Sequence, residues 1–405
     1  MYTHIIVHYD EITLKGGNRP FFERVLVDNI REFLKDIKYD NFYKEGGKII
    51  LNINKNTDLE KIKKTLKNIP GISNFNFAVL EEKNLEKINK KTVELLKNYL
   101  KTENEKNLRQ TQDDRKNEIK TFKIEARRAD KKFALKSPEI NAKVGEYVIE
   151  NMKLKVDVHS PDLDVIIDIG YKQCYIYFEK TIGIGGLPVG TTGNLISLIS
   201  GGIDSPVASF MMNKRGAKNI FVHFKNKTIA GQNDGQDKIE KLVKQLCKFQ
   251  GKSKLYVIAF EKFQKKIIVN IPSKNRMIVY RRIMFKIAGE IAKKEKAKGF
   301  VTGDSLSQVA SQTIDNISAI YNIAKLPIFP PLIGMNKQEI INIAEKIDTY
   351  NISILPYQDC CSFLIAIHPE TRANLEEILK QENNIKIDRM INDVILNNKP
   401  TIIEL

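Results

Sequence analysis

The alternation of apolar and polar positions divides the start of the chain into short strands and amphipathic helices. Residues 3–9 alternate as a strand, and residues 22–34 then repeat apolar side chains at helical spacing. Two apolar runs flank the dipeptide at 46–47, Gly-Gly, which predicts a hairpin turn. A helix at 58–69 and a strand at 74–80 follow. This pattern predicts a small α+β unit.

A second group of elements begins with an amphipathic helix at 84–100, and the segment that follows it is almost wholly polar and charged. Ser137 is predicted to cap another helix with Pro138 at its first position, since proline is favoured there. The predicted strands of this group lie at 121–126, 156–158, 165–169 and 174–178. A glycine-rich stretch at 182–190 then predicts the main domain boundary.

From residue 194 the pattern changes to strands that alternate with long helices. The strands are predicted at 195–199, 219–224, 254–259 and 299–302, and the last helices follow Lys337 and Glu370. This order predicts a mostly parallel sheet that is covered by helices on both faces. Ligands of such sheets bind beyond the carboxyl ends of the strands.

The turn at 200–205, SGGIDS, joins the first of these strands to a helix. Backbone N–H groups and the positive end of a helix bind phosphate in this geometry. Gly201 and Gly202 would allow positive φ and a close backbone approach, and Ser200 and Ser205 would add hydroxyl donors. No lysine follows the glycines, so the turn is not a Walker A loop.

Asp204 is unusual in a pure anion cradle, and it indicates a bound Mg²⁺ or a pyrophosphate leaving group. The alternative is an ordinary turn between a strand and a helix. The string SGGxDS resembles the PP-loop of the ATP pyrophosphatase superfamily, whose members adenylate a substrate oxygen and release pyrophosphate.

The net charge of the chain indicates the kind of partner that it binds. Lys and Arg number 66 against 49 Asp and Glu, which gives a net charge of +17 and favours a polyanionic partner. Nucleic acid fits better than a membrane, because no basic amphipathic anchor is present. A general lysine-rich bias, with abundant Asn and Ile, is the alternative explanation. No apolar run approaches a membrane span and no leader pattern is visible, so we expect a cytoplasmic protein.

Five strings together resemble the tRNA 4-thiouridine synthetase family (tRNA uracil 4-sulfurtransferase, ThiI). They are LKGGNR at 14–19, RRADKKF at 127–133, GGLPVG at 185–190, SGGIDSPVA at 200–208 and TGDSLSQVASQ at 302–312. The resemblance covers essentially the whole chain. It implies a ferredoxin-like domain at 1–75, a THUMP RNA-binding domain at 76–181 and an α/β PP-loop ATP pyrophosphatase domain with a parallel sheet at 182–405.

The implied reaction uses ATP to adenylate O4 of the uridine at position eight of tRNA and then replaces that oxygen with sulfur, giving 4-thiouridine. Uracil O4 is a poor leaving group. Adenylation attaches AMP to this oxygen, which can then leave as part of AMP, a good leaving group. The family implies Mg²⁺ as well as ATP, and tRNA as partner. A cysteine desulfurase that donates persulfide, or free sulfide, would supply the sulfur. A homodimer fits a tRNA bridged between protomers, and some bacterial members also serve thiamine thiazole synthesis.

The resemblance also implies functional residues. The nucleotide-binding positions are Leu198, Ile199, Ser200, Gly201, Gly202, Asp204, Ser205, His223, Phe224, Arg281, Gly303 and Gln312, and the catalytic positions are Asp204, Lys337, Cys360 and Cys361. Taken alone, His223 would be a core histidine and Arg281 a surface or structural residue. Contacts to tRNA phosphates would come from a basic cluster, namely Lys15, Arg19, Arg127, Arg128, Lys131 and Lys132.

Four cysteines without a CxxC argue against a disulfide framework and against a four-thiolate zinc site. Cys360 and Cys361 lie where the family's PP-loop-domain cysteine falls, and the interval from Lys337 favours Cys360 as the sulfur-handling residue. The alternative is that this pair packs under its loop. Cys174 and Cys247 lie in apolar patterns, which predicts buried side chains without a chemical role.

The chain departs from the family in three places. We expect no C-terminal rhodanese domain from this sequence, and it lacks the CxxC that some archaeal members place before the Arg-Arg-x-Met motif, so an iron–sulfur cluster is not expected. Pro330 stands where members often have arginine. Two other functions stay open at this point: another PP-loop enzyme, such as a 2-thiolating tRNA enzyme or an amide-forming ligase, and a tRNA-binding protein that has lost sulfur transfer.

Overall fold

The computed structural model describes residues 2–109, 119–178, 180–225, 236–356, 366 and 368–405. By packing, these residues form two units. The first contains residues 1–16, 34–67 and 72–185, and the second contains residues 17–33, 68–71 and 186–405. The helix that the sequence predicts at 22–34 therefore packs mainly with the second unit, although the chain enters it from the first.

The first unit is built on one large sheet. The elements of this part of the chain are β1 (His4–His8), α1 (Arg19–Phe33), β2 (Asn41–Glu45), β3 (Lys48–Asn52), α2 (Leu59–Lys67), β4 (Asn74–Glu81), α3 (Leu85–Arg109), β5 (Thr121–Arg128), α4 (Ser137–Asn151), β6 (Lys155–Val156), β7 (Leu163–Ile169), β8 (Cys174–Tyr177) and β9 (Thr181–Ile182). The strand order is β2-β3-β1-β4-β8-β7-β5-β6, and β9 also pairs with β4.

Most predicted elements of the first unit are present. Gly46 and Gly47 have φ of 58° and 79°, and they turn β2 into β3 as the hairpin pattern predicts. The helix predicted at 84–100 is longer, because α3 continues to Arg109 through the charged segment. The prediction that Ser137 caps α4 was wrong: Ser137 is the first residue of the helix, Lys136 occupies the cap position, and Glu139 accepts from the Lys136 backbone N–H.

The second unit carries the parallel sheet. Its elements are β10 (Gly193–Leu198), α5 (Asp204–Lys214), β11 (Ala217–Lys225), α6 (Gln236–Gln250), β12 (Ser253–Ala259), α7 (Glu261–Asn270), α8 (Arg276–Lys294), β13 (Phe300–Val301), α9 (Ile314–Tyr321), β14 (Ile328–Phe329), α10 (Lys337–Lys346), α11 (Tyr350–Ser353), α12 (Leu375–Asn383), α13 (Asp388–Asn397) and β15 (Thr401–Ile403). The order is β14-β13-β10-β11-β12-β15, and all neighbours pair in parallel except β12 and β15.

The strand order reverses its direction beside β10. From β10 the chain steps outward to β11 and β12, and it then returns to place β13 on the other side of β10. The connections after β10 and β13 therefore diverge from the carboxyl edge of two adjacent parallel strands. A ligand crevice forms at such a switch point in open α/β sheets.

A buried ion pair joins α12 to α8. Arg282 of α8 is fully buried, and its guanidinium donates to both carboxylate oxygens of Glu382 in α12 at 2.8 and 3.0 Å. Loss of one partner of such a pair costs about 3–5 kcal/mol, since the other charge stays buried. Phe224, Phe260 and Tyr280 pack nearby in the core of this unit.

Among the residues that the structure describes, no helix is long and apolar enough to cross a membrane.

Candidate active site

The turn between β10 and α5 is braced by two of its own serines. The Ser200 backbone N–H donates to Ser205 Oγ at 2.9 Å, and the two hydroxyl oxygens lie 3.1 Å apart. One turn further along α5, the Ser209 hydroxyl donates to the Ser205 carbonyl and also contacts Ser197 of β10 at 2.6 Å. These contacts make the turn a preformed structure. No side-chain capping bond occurs at the start of α5, where the first N–H groups of a helix have no partner within the helix itself.

The two glycines of the turn do not need glycine for conformational reasons. Neither Gly201 nor Gly202 has positive φ, so the turn does not use the positive φ that glycine would allow. A Cβ on Gly202 would lie 3.6 Å from Ser200 Oγ, which is an ordinary contact, and Gly202 is exposed. The surface above Gly202 is therefore open to a ligand that approaches the backbone.

Gly303, in contrast, is required by close packing. A Cβ at this position would lie 2.8 Å from the Ser205 backbone nitrogen and 2.9 Å from the Asp204 carbonyl carbon. Both are backbone atoms of the first turn of α5, which cannot yield as a flexible side chain would. The connection after β13 thus lies directly against the start of α5, and only glycine allows this distance.

Asp204, the first residue of α5, is held by two other segments. Lys337 Nζ donates to Asp204 Oδ1 at 2.6 Å, and Gln308 Nε2 donates to Oδ2 at 3.0 Å. Lys337 is the first residue of α10, whose N-terminus is fixed by reciprocal capping bonds between Asn336 and Glu339. Three separate parts of the chain therefore meet at this carboxylate.

A buried network lies behind the crevice around Asp304. Arg281 donates to both Asp304 oxygens at 2.9 and 2.6 Å, Gln312 donates at 3.1 Å and the Tyr321 hydroxyl at 2.6 Å. Burial alone would raise the pKa of Asp304. The positive charge of Arg281 and the hydrogen bonds to the carboxylate have a larger, opposite effect, so the pKa lies below its ordinary value. Burial raises the pKa of Tyr321, and the charge of Asp304 raises it further.

The remaining predicted nucleotide positions lie on the neighbouring strands. His223 is buried, and its Nδ1 donates to the Ile199 carbonyl at 2.9 Å. Because a carbonyl oxygen only accepts, Nδ1 carries the proton in this contact. Phe224 is buried in the core against Phe260, so a contact from Phe224 to a nucleotide would come from its backbone. Leu198 is half-buried at the end of β10.

The cysteines separate into two classes. Cys174 and Cys247 are buried and free, as the apolar patterns predict, and burial raises the pKa of Cys247 to about 11. A thiol with such a pKa is protonated at neutral pH and a poor nucleophile. Cys360 and Cys361 lie outside the described residues.

The basic cluster of the sequence analysis is not uniform. In the first unit, Arg127 pairs with Glu125 and Arg128 donates to the Phe133 carbonyl, whereas Lys131 and Lys132 are exposed. The two lysines therefore remain the best exposed candidates for phosphate contacts in that string.

Sequence reasoning missed Gln308 and Asp304. Both lie in the string at 302–312, in which the resemblance assigned roles only to Gly303 and Gln312. Ser307, just before Gln308, has φ of 61°, which turns the loop back toward α5. Asp304 could have been found from the sequence. An acidic residue next to a buried strand end requires a cationic partner, and Arg281 was already a candidate nucleotide-binding residue.

Models of known families match three consecutive parts of the chain. The ThiI ferredoxin-like domain matches residues 4–76, the THUMP domain matches residues 82–179, and the model described as thiamine biosynthesis protein (ThiI) matches residues 190–387.

Curated relatives match nearly the full length. A probable tRNA sulfurtransferase of Thermoanaerobacter pseudethanolicus is 39% identical over 390 residues, which cover 96% of this chain and 97% of that protein. One from Geobacillus sp. is 36% identical over 407 residues, which cover 100% of this chain and 96% of that protein.

Solved structures agree with these matches. A 4-thiouridine synthetase in complex with RNA and bound ATP superposes with a TM-score of 0.87 at 32% identity, and the match covers 100% of both chains. A Pyrococcus horikoshii protein superposes with a TM-score of 0.63 at 27% identity, over 85% of this chain and 99% of that one.

Proposed function

The chain belongs to the ThiI family of tRNA sulfurtransferases, and from this premise we propose that it uses ATP to adenylate uridine O4 in tRNA and replaces that oxygen with sulfur. The product would be 4-thiouridine at position eight. The observation that carries this proposal is the meeting of Asp204, Lys337 and Gln308 at an open glycine turn on the carboxyl edge of a parallel sheet.

The turn suits the triphosphate of ATP. Gly202 leaves the backbone open to close approach, and the uncapped start of α5 directs N–H groups and a positive helix end at the same space. The braces between Ser200 and Ser205 keep these donors in place before ATP arrives. Preorganised donors stabilise charge without reorganisation during the reaction.

The donor set also fits Mg²⁺. Mg²⁺ is usually held by one or two carboxylates together with substrate phosphates and waters, rather than by a cage of protein ligands. Asp204 supplies one partly exposed carboxylate beside the phosphate space. We infer that Asp204 holds Mg²⁺ together with the nucleotide, where the ion would neutralise phosphate charge. No cluster of three or more His, Cys, Asp or Glu side chains occurs among the described residues to offer another site.

Lys337 would change partner when the nucleotide binds. Its ammonium now lies on Asp204, and the side chain is 44% exposed, so it has room to turn toward a phosphate oxygen. There it would balance the negative charge that develops as pyrophosphate leaves. Gln308 would keep the Asp204 carboxylate in place, and Asp304 would hold Arg281 beside the same crevice.

For the second step we propose that Cys360 carries the sulfur. A persulfide donor such as a cysteine desulfurase would load Cys360, and the terminal sulfur would attack C4 and displace AMP. This attack leaves a disulfide bond between Cys360 Sγ and the sulfur on C4. A second thiol, either Cys361 or an external dithiol, would attack Cys360 Sγ, break that bond and release 4-thiouridine, and external thiol would reduce the resulting disulfide before the next turnover. The alternative within this function is that free sulfide attacks C4 directly. A role in sulfur transfer for thiamine thiazole synthesis is a further proposal, which rests on the family's description alone.

The tRNA would be bound mainly by the first part of the chain. Exposed Lys131 and Lys132 lie within residues 82–179, where the THUMP model matches. The relative with bound RNA supports tRNA as the partner. We keep the assignment of a ferredoxin-like domain at 1–75, a THUMP domain at 76–181 and a PP-loop domain at 182–405 as a proposal, and likewise a homodimer that bridges one tRNA.

An isotope experiment tests the adenylation step. If uridine O4 attacks the α-phosphorus, the bond between C4 and that oxygen breaks when sulfur attacks, and the oxygen leaves with AMP. With tRNA labelled by ¹⁸O at O4 of the target uridine, we expect one ¹⁸O in each AMP released. Unlabelled AMP formed together with 4-thiouridine would contradict the proposal.

A further inference from the structure

Lys238, in the first turn of α6, is a buried lysine that the proposed mechanism does not use. It is only 7% exposed, and its ammonium donates to the backbone carbonyls of Ser353 at 2.8 Å and Leu355 at 2.7 Å. These carbonyls lie at the end of α11. Burying a lysine ammonium is costly unless its donors are satisfied, so this contact is a built feature of the fold.

A second side chain of α6 holds the same stretch of chain two helical turns away. Gln245 is buried, and its Nε2 donates to the Ile347 carbonyl at 2.8 Å, where α10 ends. Asp348 then has φ of 56°, and the chain reverses into α11. Lys238 and Gln245 lie on the same face of α6, about 10 Å apart along the axis. Helix α6 therefore fixes both ends of the return path from α10 to Leu355.

The direction of α6 shows where this path leads. The helix ends at Gln250, shortly before β12 begins at Ser253, and β12 runs parallel to β10 and β11. The end of α6 therefore lies at the amino edge of the sheet. Lys238 lies about 18 Å back along the helix, toward the carboxyl edge. The turn at 200–205 lies at that same edge.

The path of α10 agrees with this direction. Helix α10 begins beside the crevice, where Lys337 contacts Asp204, and it packs against α5. It ends at Lys346, next to Gln245, and α11 then packs against α6. The chain thus leaves the crevice along α10 and is brought back toward the carboxyl edge where Lys238 binds it.

We propose that Lys238 is a positioning residue for sulfur transfer, which fixes the point at the carboxyl edge from which the chain continues to Cys360. This inference rests on the proposed role of Cys360 as the sulfur carrier. Cys360 lies five positions after Leu355 in the sequence, and a chain of that length spans at most about 18 Å. A fixed starting point at the carboxyl edge, the edge that also carries the turn at 200–205, therefore limits where the persulfide can reach.

Positioning and a purely structural role predict different results. Adenylation does not need the cysteine, and free sulfide bypasses it. A positioning role therefore affects only the reaction that uses a persulfide donor, whereas a structural role lowers every activity of the second unit together. A displacement of 1 Å at a reacting group can cost about 100-fold in rate, so the effect of losing the anchor is measurable.

The experiment compares Lys238→Met with Lys241→Met in the full-length protein. Lys241 is an exposed lysine of the same helix and serves as the matched control. Three rates are measured with tRNA and ATP: pyrophosphate release, thiolation with free sulfide, and thiolation with a persulfide donor. For Lys238→Met we expect the persulfide-dependent rate to fall at least about 10-fold and the other two to stay within about twofold. Lys241→Met should keep all three.

Equal loss of all three rates in Lys238→Met, or an unchanged persulfide-dependent rate, overturns the inference. If Lys238→Met does not fold, Lys238→Gln is used, because its shorter amide keeps polar donors at the site; the same split between rates is expected. Cys360→Ser separates the two proposals. If Cys360→Ser loses persulfide-dependent thiolation and Lys238→Met keeps it, only the role of Lys238 is wrong. If Cys360→Ser keeps it, the relay is wrong and this inference falls with it.

Discussion

Lys337 Nζ donates a hydrogen bond to Asp204 Oδ1 at 2.6 Å, and this contact joins the first residues of α10 and α5. The two residues are 133 positions apart in the chain. The sequence makes Asp204 and Lys337 separate candidates for catalytic residues. The structure brings them together, with Gln308, in one hydrogen-bonded group at the end of the glycine turn.

Asp204→Ala should abolish thiolation and leave tRNA affinity near that of the wild type. The substitution removes the carboxylate beside the phosphate space, and it leaves the exposed lysines of the first unit untouched. Thiolation is read from 4-thiouridine absorbance, and tRNA binding from filter retention. A large loss of tRNA affinity would show that the second unit carries much of the RNA binding.

Lys337→Met should lower the rate of pyrophosphate release by about 100-fold or more, with a smaller change in ATP affinity. The lysine is expected to act on charge that develops in the transition state, and such groups affect kcat more than ground-state binding. Lys346→Met, at the exposed end of the same helix, is the control. If Lys337→Met weakens ATP binding and leaves kcat unchanged, Lys337 serves binding alone.

Gly303→Ala should disturb the crevice, because the new methyl group would lie under 3.0 Å from backbone atoms of Asp204 and Ser205. We expect a loss of ATP-induced thermal stabilisation together with a lower melting temperature. Gly334→Ala is the matched control, since nothing lies within 4 Å of a Cβ there. Equal behaviour of the two variants would mean that the loop after β13 can move away from α5 without consequence.

Asp304 should make stability depend on acid pH. Its folded-state pKa is below the ordinary value, so its stabilisation is present above about pH 4 and is lost as the pH falls through the folded-state pKa. Asp304→Asn should therefore lower the melting temperature at pH 7, and the difference from the wild type should narrow below pH 4. Thermal unfolding at pH 7 and pH 3.5 measures this, and a difference independent of pH would contradict it.

The parallel sheet and its glycine turn could be predicted from the sequence, because apolar runs of strand length alternate with long helices from residue 194 onward. The hairpin at Gly46-Gly47 is equally local. What the sequence could not give were contacts between distant segments. Gln308 reaches Asp204 from a loop in which Ser307 adopts positive φ, and Lys238 is buried where α11 returns to α6.

The reason why glycine occupies a given position is also hard to predict from the sequence. Glycine would allow positive φ at Gly201 and Gly202, and neither residue adopts it. Glycine at 202 fits space for a ligand, because this residue is exposed, and composition and periodicity do not report such space. At Gly303 glycine is needed because the residue packs against α5. This contact could not be predicted from the sequence, since Gly303 and the start of α5 are about 100 residues apart in the chain.

Lys131→Glu together with Lys132→Glu should weaken tRNA binding and reduce its salt dependence. Each phosphate contact that is lost removes one released counterion, so the slope of log affinity against log salt should become shallower by about one to two. Lys64→Glu with Lys67→Glu changes the net charge equally on α2 and is the control. Equal effects of both pairs would mean that net charge alone governs binding.

The most direct test of the central claim is the reaction itself. The purified protein is incubated with unmodified tRNA, ATP, Mg²⁺ and sulfide, and the digested nucleosides are identified by mass spectrometry while pyrophosphate is counted. We predict 4-thiouridine at position eight, formed only when ATP is present, with about one pyrophosphate released for each thiolated tRNA, and none with Asp204→Ala. Formation of 2-thiouridine, or thiolation without ATP, would contradict the account.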